Sequence, residues 1–168
     1  SNVWTKTPPA GWSIDYSQMA GINEPGVGVT EWKGWSFADR VWWATVAGDQ
    51  RRSEFTKGVG VAAIADPDEW DDIGSPANLG TFNSFLISPE VSLEGVAPGS
   101  AMLRFSSSFR PEGDQTARVT VAYDGAAEET VLEWIDTTDD KTNETVDVPL
   151  NNPAGAQNMV ITFSMTEA

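Results

Sequence analysis

The chain of 168 residues carries 25 acidic and 10 basic side chains, a net charge of −15, and contains neither histidine nor cysteine. This length fits one domain with its own hydrophobic core. The negative charge repels nucleic acid phosphates and anionic bilayers, so we expect no nucleic acid partner and no membrane insertion. The absence of cysteine excludes disulfides, thiolate metal sites and cysteine nucleophiles. The acidic bias favours a secreted, extracellular location, in salty medium or near divalent cations.

The first half of the chain predicts few regular elements. Residues 1–10 form an extended N-terminal segment in this interpretation, and a single sandwich module occupies residues 11–168. Between residues 36 and 49, apolar side chains recur three or four positions apart, which fits a helix as well as a loop or short helix wrapped around the sandwich. Two short and uniformly apolar runs, 59–65 and 82–88, predict strands covered on both sides.

In the second half, apolar and polar residues alternate with a period of two, as in half-buried antiparallel strands. One face of the stretch 101–109 carries Leu103, Phe105, Ser107 and Phe109, of which Ser107 alone is polar. Further strands are predicted at 119–123, 130–135, 146–150 and 159–165. Asp124-Gly125 predicts the turn of a hairpin. The chain is therefore predicted to be all-β, a two-sheet antiparallel β-sandwich of the jelly-roll type.

The tryptophans suggest a ligand site, because five of the eight lie between Glu31 and Asp72. We expect Trp12 and Trp134 to pack in the core. Trp42 and Trp43 are adjacent, so on an extended chain one of them points away from the core and is free to stack. Flat rings stack on the C–H faces of sugars, while carboxylates and amides bind the hydroxyls. The candidate ligand-binding residues are Trp35, Trp43, Trp70, Arg40 and Asp39.

An acidic run between residues 66 and 72 suggests a metal site. Its five carboxylates repel one another unless solvent or a cation separates them, and Ca²⁺ prefers such oxygen ligands. The candidate calcium ligands are Asp66, Asp68, Glu69, Asp71 and Asp72, with Asn78 or Glu31 as further donors. The run is not an EF-hand, because Trp70 occupies the third ligand position. A solvated acidic loop without a metal is the alternative.

Several segments in order resemble the jelly-roll domains of the cleaved-adhesin, MAM-like and choice-of-anchor group. They are Gly11-Trp12, Trp35, Trp42-Trp43, the stretch from Val61 to Asp72, Phe85 to Leu93, and Leu103 to Phe105. The resemblance implies a non-catalytic module of a secreted bacterial protein, such as an adhesin, with a structural calcium ion. Domains of this group continue past the strand at 159–166 into an aromatic closing strand, whereas this chain ends at Ala168. A sandwich that lacks its closing strand is therefore expected to self-associate or to be marginally stable.

These observations predict an extracellular carbohydrate-binding module that is accessory to a larger secreted or surface protein. Its partners would be a polysaccharide or cell-surface glycan and the parent multidomain protein. The alternative is a structural or adhesion module that binds proteins through calcium-stabilised loops. A glycosidase or lyase would need a placed carboxylate pair, and nothing in the sequence selects one pair among Glu31, Asp39, Glu54, Asp68 and Glu112. We therefore predict no catalytic residues.

Overall fold

The computed structural model describes residues 3–19, 21–75, 81–135 and 139–167. Its strands in chain order are Trp4–Thr5 (β1), Ser13–Asp15 (β2), Ser36–Asp39 (β3), Val61–Ile64 (β4), Ser84–Ile87 (β5), Val91–Ser92 (β6), Met102–Phe109 (β7), Thr116–Tyr123 (β8), Glu129–Ile135 (β9), Lys141–Pro149 (β10) and Asn158–Thr166 (β11). Two short α-helices are Arg40–Val46 (α1) and Pro67–Trp70 (α2). Two 3₁₀ turns are Thr30–Trp32 and Arg52–Glu54.

The first layer of the fold is a six-stranded antiparallel sheet with the order β2-β5-β11-β8-β9, and β6 pairs with the start of β11. In its register Phe163 of β11 lies opposite Val119 of β8 and Leu86 of β5. Residues directly opposite each other in a sheet share a face, so these three side chains form one inner row. Val119 and Leu86 are buried, as the period-two alternation requires.

The second layer is divided into two separate sheets. One has the order β1-β3-β4, and the other is the pair β7-β10. Both pack on the same inner face of the six-stranded sheet, because Met165 belongs to the hydrophobic cluster under β3 and β4, while Ile161 of the same strand belongs to the cluster under β7 and β10. The predicted all-β, two-layer antiparallel sandwich is confirmed.

Most of the predicted strands are present, and in β8 and β10 the buried faces are those that the alternation indicated, whereas β11 also buries Thr162 and Ser164 on its opposite face. Val119, Val121 and Tyr123 are buried in β8, and Val146 and Val148 in β10. The hairpin between β8 and β9 is also present. Its turn needs residues with positive φ, and Asp124 and Gly125 have φ values of 50° and 71°.

One expectation from the first half of the chain is wrong, and the structure gives two others in finer detail. The prediction that the run 59–65 is covered on both sides is wrong, since Val61 is 58% exposed. Residues 36–49 contain a short helix, α1, but β3 occupies the start of the stretch and leads directly into it. The N-terminal segment 1–10 contributes the extended strand β1, which pairs with β3.

The change from strand to helix after residue 39 has a local cause. The Asp39 carboxylate accepts a hydrogen bond of 3.0 Å from the backbone N–H of Trp42 and thereby caps α1. On this helix Trp42 stacks on Trp32, with 6.2 Å between ring centroids. No helix in the described part of the chain is long and apolar enough to cross a membrane.

Candidate functional site

A groove of about 410 Å³ lies between the two halves of the second layer. Its walls are β4 on one side and β7 on the other, and its floor is the inner face of the six-stranded sheet. Aromatic residues dominate its lining: Trp12, Trp35, Trp43, Phe55, Phe105, Phe109, Trp134 and Phe163. Ligand sites in proteins are commonly apolar concavities of this size with a few polar groups.

The centre of the groove floor is an aromatic cluster around Phe163. The Phe105 ring meets the Phe163 ring edge to face, with centroids 5.2 Å apart, and the Trp12 ring lies 6.3 Å from the same ring. Both contacts fall within the range of favourable aromatic pairs. Phe163 is only half-buried, although it lies on the inner face of the third of five consecutive strands. The divided second layer leaves this part of the floor only partly covered, by Phe105 of β7 and by Trp12.

The walls of the groove are built from small side chains. Ala62, Ala63 and Ala65 line it on the β4 side, and the three serines at 106–108 line it on the β7 side. Ser107, the single polar residue on the inward face of β7, therefore lies at the groove and not in the closed core. Small walls leave room for a ligand, and the serine hydroxyls offer hydrogen bonds to it.

Residues 51–58, which we call the strap, connect the β10 side of the second layer with the groove. Arg51 forms ion pairs with Glu54 and with Asp140, and Lys57 Nζ lies 2.9 Å from the Thr145 hydroxyl on β10. Phe55 of the strap lines the groove. These polar contacts are exposed, so each of them holds the strap only weakly.

A smaller cavity of about 90 Å³ adjoins the groove and shares Trp43 and Phe109 with it. It contains a buried ion pair, because Arg52 Nη2 lies 2.9 Å from Asp66 Oδ2, and the two residues are 7% and 5% exposed. The Trp43 indole N–H donates to the same oxygen at 2.8 Å, and the Arg52 guanidinium lies over the Trp43 ring, 5.3 Å from its centroid. Arg52 thus connects the ion pair to a wall of the groove.

The hydrogen-bonding capacity of the Asp66 carboxylate is used within the protein. Oδ1 accepts from Arg52 and from the backbone N–H of Glu69, and Oδ2 accepts from Arg52 and Trp43. Arg52 Nη1 donates to two backbone carbonyls, those of Ala47 and Gly48. Burial raises the pKa of Asp66, while the Arg52 guanidinium opposes that rise.

Two acidic residues near this pair, Glu69 and Asp71, have raised pKa values. Burial, followed by the charge of Asp66, raises the pKa of Glu69 to about 7, although Glu69 Oε1 lies 3.3 Å from Arg52. Partial desolvation of a side chain that stays largely exposed, followed by the charges of Asp68 and Asp72, raises the pKa of Asp71. One arginine therefore offsets only part of the negative charge that this run brings together.

The structure brings only two of the five predicted ligand-binding residues to the groove. Trp35 and Trp43 line it, and the Trp35 indole N–H donates to the Ser84 carbonyl at 3.2 Å. Asp39 caps α1, and Arg40 donates to the carbonyls of Gly58 and Ser53, which ties the strap to that helix. Trp70 is 2% exposed in the core and offers no face to a ligand.

The predicted metal ligands do not form a cation cage among the described residues, where no group of three or more acidic side chains is placed to hold a metal ion. Arg52 lies where a cation was expected, within 4 Å of carboxylates of Asp66, Asp68 and Glu69. Asp71 and Asp72 are exposed. Asn78 falls outside the described ranges. Calcium binding stays a prediction, and Asp66 is a poor candidate ligand because its oxygens are engaged.

Several groove residues were not identified from the sequence. Trp12 and Trp134 were assigned to packing, and they do pack, but both also line the groove. Phe105 and Phe163 were read as ordinary inward-facing strand residues. The available signal was Ser107, whose polarity interrupts an otherwise apolar face. Arg52 was missed because an arginine in a turn matches no sequence motif that would indicate a buried ion pair.

The carboxylates named for the enzyme alternative serve structural roles where their contacts are known. Glu54 pairs with Arg51 at 3.2 Å, and Glu112 pairs with Arg110 at 2.6 Å. Asp39 caps α1. None of these contacts sets up an acid and a base across a cleft.

Comparison with known proteins adds no relative, since no family model, no curated protein and no solved structure matches this chain.

Proposed function

We propose that this chain is a non-catalytic binding module of a larger secreted or surface protein, and that it binds a segment of a protein partner in the groove between β4 and β7. The observation that carries the proposal is the combination of a largely apolar groove with a central floor at Phe163 that is only half-buried. An apolar surface that remains open after folding is characteristic of interaction sites. The calcium expected for such a module remains part of the proposal, in the region of Asp68, Asp71 and Asp72.

The polar groups of the groove support a protein partner over a sugar. Besides the three serines on β7, Lys57 and Ser164 line it, whereas the described part of the chain contributes no carboxylate and no side-chain amide to its lining. Sugar sites use such groups to bind several hydroxyls at once. A partner with many apolar atoms and few hydroxyls matches this lining better.

A groove-filling variant tests the proposal directly. Ser107→Trp adds a large ring on the inward face of β7, and Met102→Trp adds the same ring on the exposed outer face of the same strand, where Met102 is 59% exposed. Both variants and the unsubstituted chain are presented with a displayed heptapeptide library and with a panel of plant and marine polysaccharides. We expect the library to yield peptides that bind the unsubstituted chain and Met102→Trp with similar affinity. The same peptides should bind Ser107→Trp at least tenfold more weakly.

Ala62→Phe fills the groove from the opposite wall and repeats the test if Ser107→Trp fails to fold, which circular dichroism reports. Peptide and polysaccharide binding that is indifferent to both groove-filling variants would refute the proposal.

Carbohydrate is the second candidate ligand, because Trp12, Trp35 and Trp43 all line the groove. Their indoles are suited to stack on pyranose rings, and the serine hydroxyls on β7 are suited to bind sugar hydroxyls. The same panel distinguishes the two ligands. Retention on a polysaccharide that Ser107→Trp abolishes, without any peptide selected by the library, would establish this second function.

A further inference from the structure

The two strands that face each other across the groove both have an unused edge. Within the described ranges β4 pairs only with β3, and β7 pairs only with β10. In an antiparallel sheet, alternate residues of an edge strand direct their backbone N–H and C=O groups outward. Each wall of the groove therefore presents a row of backbone donors and acceptors to whatever enters it.

Where they line the groove, the two edges lack the usual protection against pairing, although β7 carries the exposed Arg104 outside the groove. Sheet edges in soluble proteins are commonly blocked by lysine, proline or inward-pointing charges. The β4 run Val61-Ala-Ala-Ile-Ala65 and the β7 run Phe105-Ser-Ser-Ser-Phe109 contain no charged residue and no proline. Val61 and its neighbour Val59 are 58% and 85% exposed, so the β4 edge also presents apolar side chains to solvent.

The floor below the gap is suited to the side chains of a further strand. In a closed sandwich the inner face of a central strand is covered by the opposite sheet. Phe163 and Phe105 are instead half-buried where β4 and β7 separate. Neighbouring strands lie about 4.8 Å apart, so a strand that pairs with both edges requires about twice that separation between β4 and β7.

We propose that the groove binds an extended peptide strand of a partner protein, which pairs with β4 on one side and β7 on the other. The proposal rests on the proposed function and specifies how the partner is held. The inserted strand would join β1-β3-β4 and β7-β10 into one continuous sheet of six strands above the six-stranded sheet. Its alternate apolar side chains cover Phe163 and Phe105, and its backbone supplies the hydrogen bonds that both edges lack.

The charge of the module defines the partner further. With a net charge of −15, the module repels acidic segments and attracts basic ones before contact. The expected ligand is therefore a segment that alternates apolar and polar side chains and carries lysine or arginine at its ends. A length of about five to seven residues matches β4, which has four residues.

The experiment uses the heptapeptides selected by the library, resynthesised in two forms. One form is unmodified, and the other is N-methylated at successive residues along the segment, which removes the backbone donors to both edges and keeps the side chains. Binding is measured by calorimetry, and amide hydrogen exchange is measured for residues 61–65 and 105–109 of the module. We expect the N-methylated form to bind at least tenfold more weakly, and the unmodified form to slow exchange in both stretches.

Two results would overturn strand insertion while leaving the groove as the binding site. One is equal binding of the N-methylated form, and the other is slowed exchange along only one of the two edges. A selected peptide that protects neither edge and ignores Ser107→Trp would overturn both this inference and the proposed function. If the library selects nothing and a polysaccharide occupies the groove, or if the module pairs with a second copy of itself through these edges, strand insertion by a partner is refuted.

Discussion

Arg52 and Asp66 are joined by a 2.9 Å ion pair in the interior of the protein, and the Trp43 indole N–H completes the coordination of the same carboxylate. The pair links the 3₁₀ turn at Arg52–Glu54 to the start of α2 and to a wall of the groove. The loss of either residue should destabilise the fold strongly, because it leaves the other charge buried without a partner.

Arg52→Met should destabilise the fold by about 3–5 kcal/mol, because it leaves the Asp66 carboxylate buried and uncompensated. The matched control is Arg51→Met, which removes the adjacent arginine, whose ion pairs are exposed and which should cost far less. Urea denaturation of both variants measures the difference. Equal losses in the two variants would show that the buried pair has no special role.

Stability should fall as the pH rises from about 4.5 to about 7. The folded protein raises the pKa of Glu69 from its ordinary 4.5 to about 7, so between these values it binds more protons than the unfolded chain. Stabilisation by the protonated form is complete below the lower value and is lost as the pH passes the upper one. Glu69→Gln should flatten this part of the profile in urea titrations. Asp147→Asn, which alters a carboxyl whose pKa is lowered, should leave it unchanged.

Millimolar calcium should raise the melting temperature, because a cation relieves the repulsion among Asp68, Asp71 and Asp72 that remains after Arg52 is counted. A double variant, Asp71→Asn with Asp72→Asn, should lose the effect. Sodium chloride at matched ionic strength controls for screening. If sodium raises the melting temperature as much as calcium does, or if the double variant retains the calcium effect, specific binding by this run is excluded.

Trp70→Ala should cost about 3–5 kcal/mol, because it removes a fully buried ring that packs on Phe82 at 5.8 Å. Trp70→Phe should cost much less, since the buried indole N–H has no hydrogen-bond partner among the described residues. Thermal melts of the two variants give the comparison. A Trp70→Ala variant that folds normally but no longer binds ligand would show that Trp70 belongs to the ligand site after all.

Gly28 should tolerate no side chain, because the buried Trp70 ring packs directly against it. A Cβ at this position would lie 2.1 Å from the Trp70 indole nitrogen, and its φ of +69° also favours glycine. Gly28→Ala should therefore lower the melting temperature clearly. Gly99→Ala has a similar φ of +73° with open space around the Cβ, so it isolates the backbone contribution. Equal losses at the two positions would show that the contact with Trp70 is harmless.

The strands of the second half were predictable because each carries its own alternation, which depends only on neighbouring residues. The face of β11 that holds Ile161 and Met165 is an example. The groove was not predictable in this way, since it depends on which strands fail to pair across the second layer. β4 was misread because its uniformly apolar sequence is as compatible with an exposed edge as with a covered strand.

The candidate site shows the same limit. Trp35 and Trp43 were proposed as ligand-binding residues because tryptophans cluster in this part of the sequence, and both line the groove, but the other groove residues come from distant parts of the chain. The acidic run was visible in the sequence, whereas the Arg52 that enters it is fourteen residues away from Asp66. The helical position of Trp42 and Trp43 also replaced the extended geometry on which their opposite orientation was argued.

The division of the second layer has a consequence for cooperativity. Each half rests mainly on its own hydrophobic cluster, although Phe109 of β7 belongs to the cluster under β3 and β4, and Trp134 packs against both clusters. The halves share the six-stranded sheet below them but exchange no strand hydrogen bonds with each other in the described structure. We therefore expect one half to open locally more readily than the two halves open together. A ligand that contacts both halves across the groove would couple their unfolding, because the opening of either half would break contacts with the ligand.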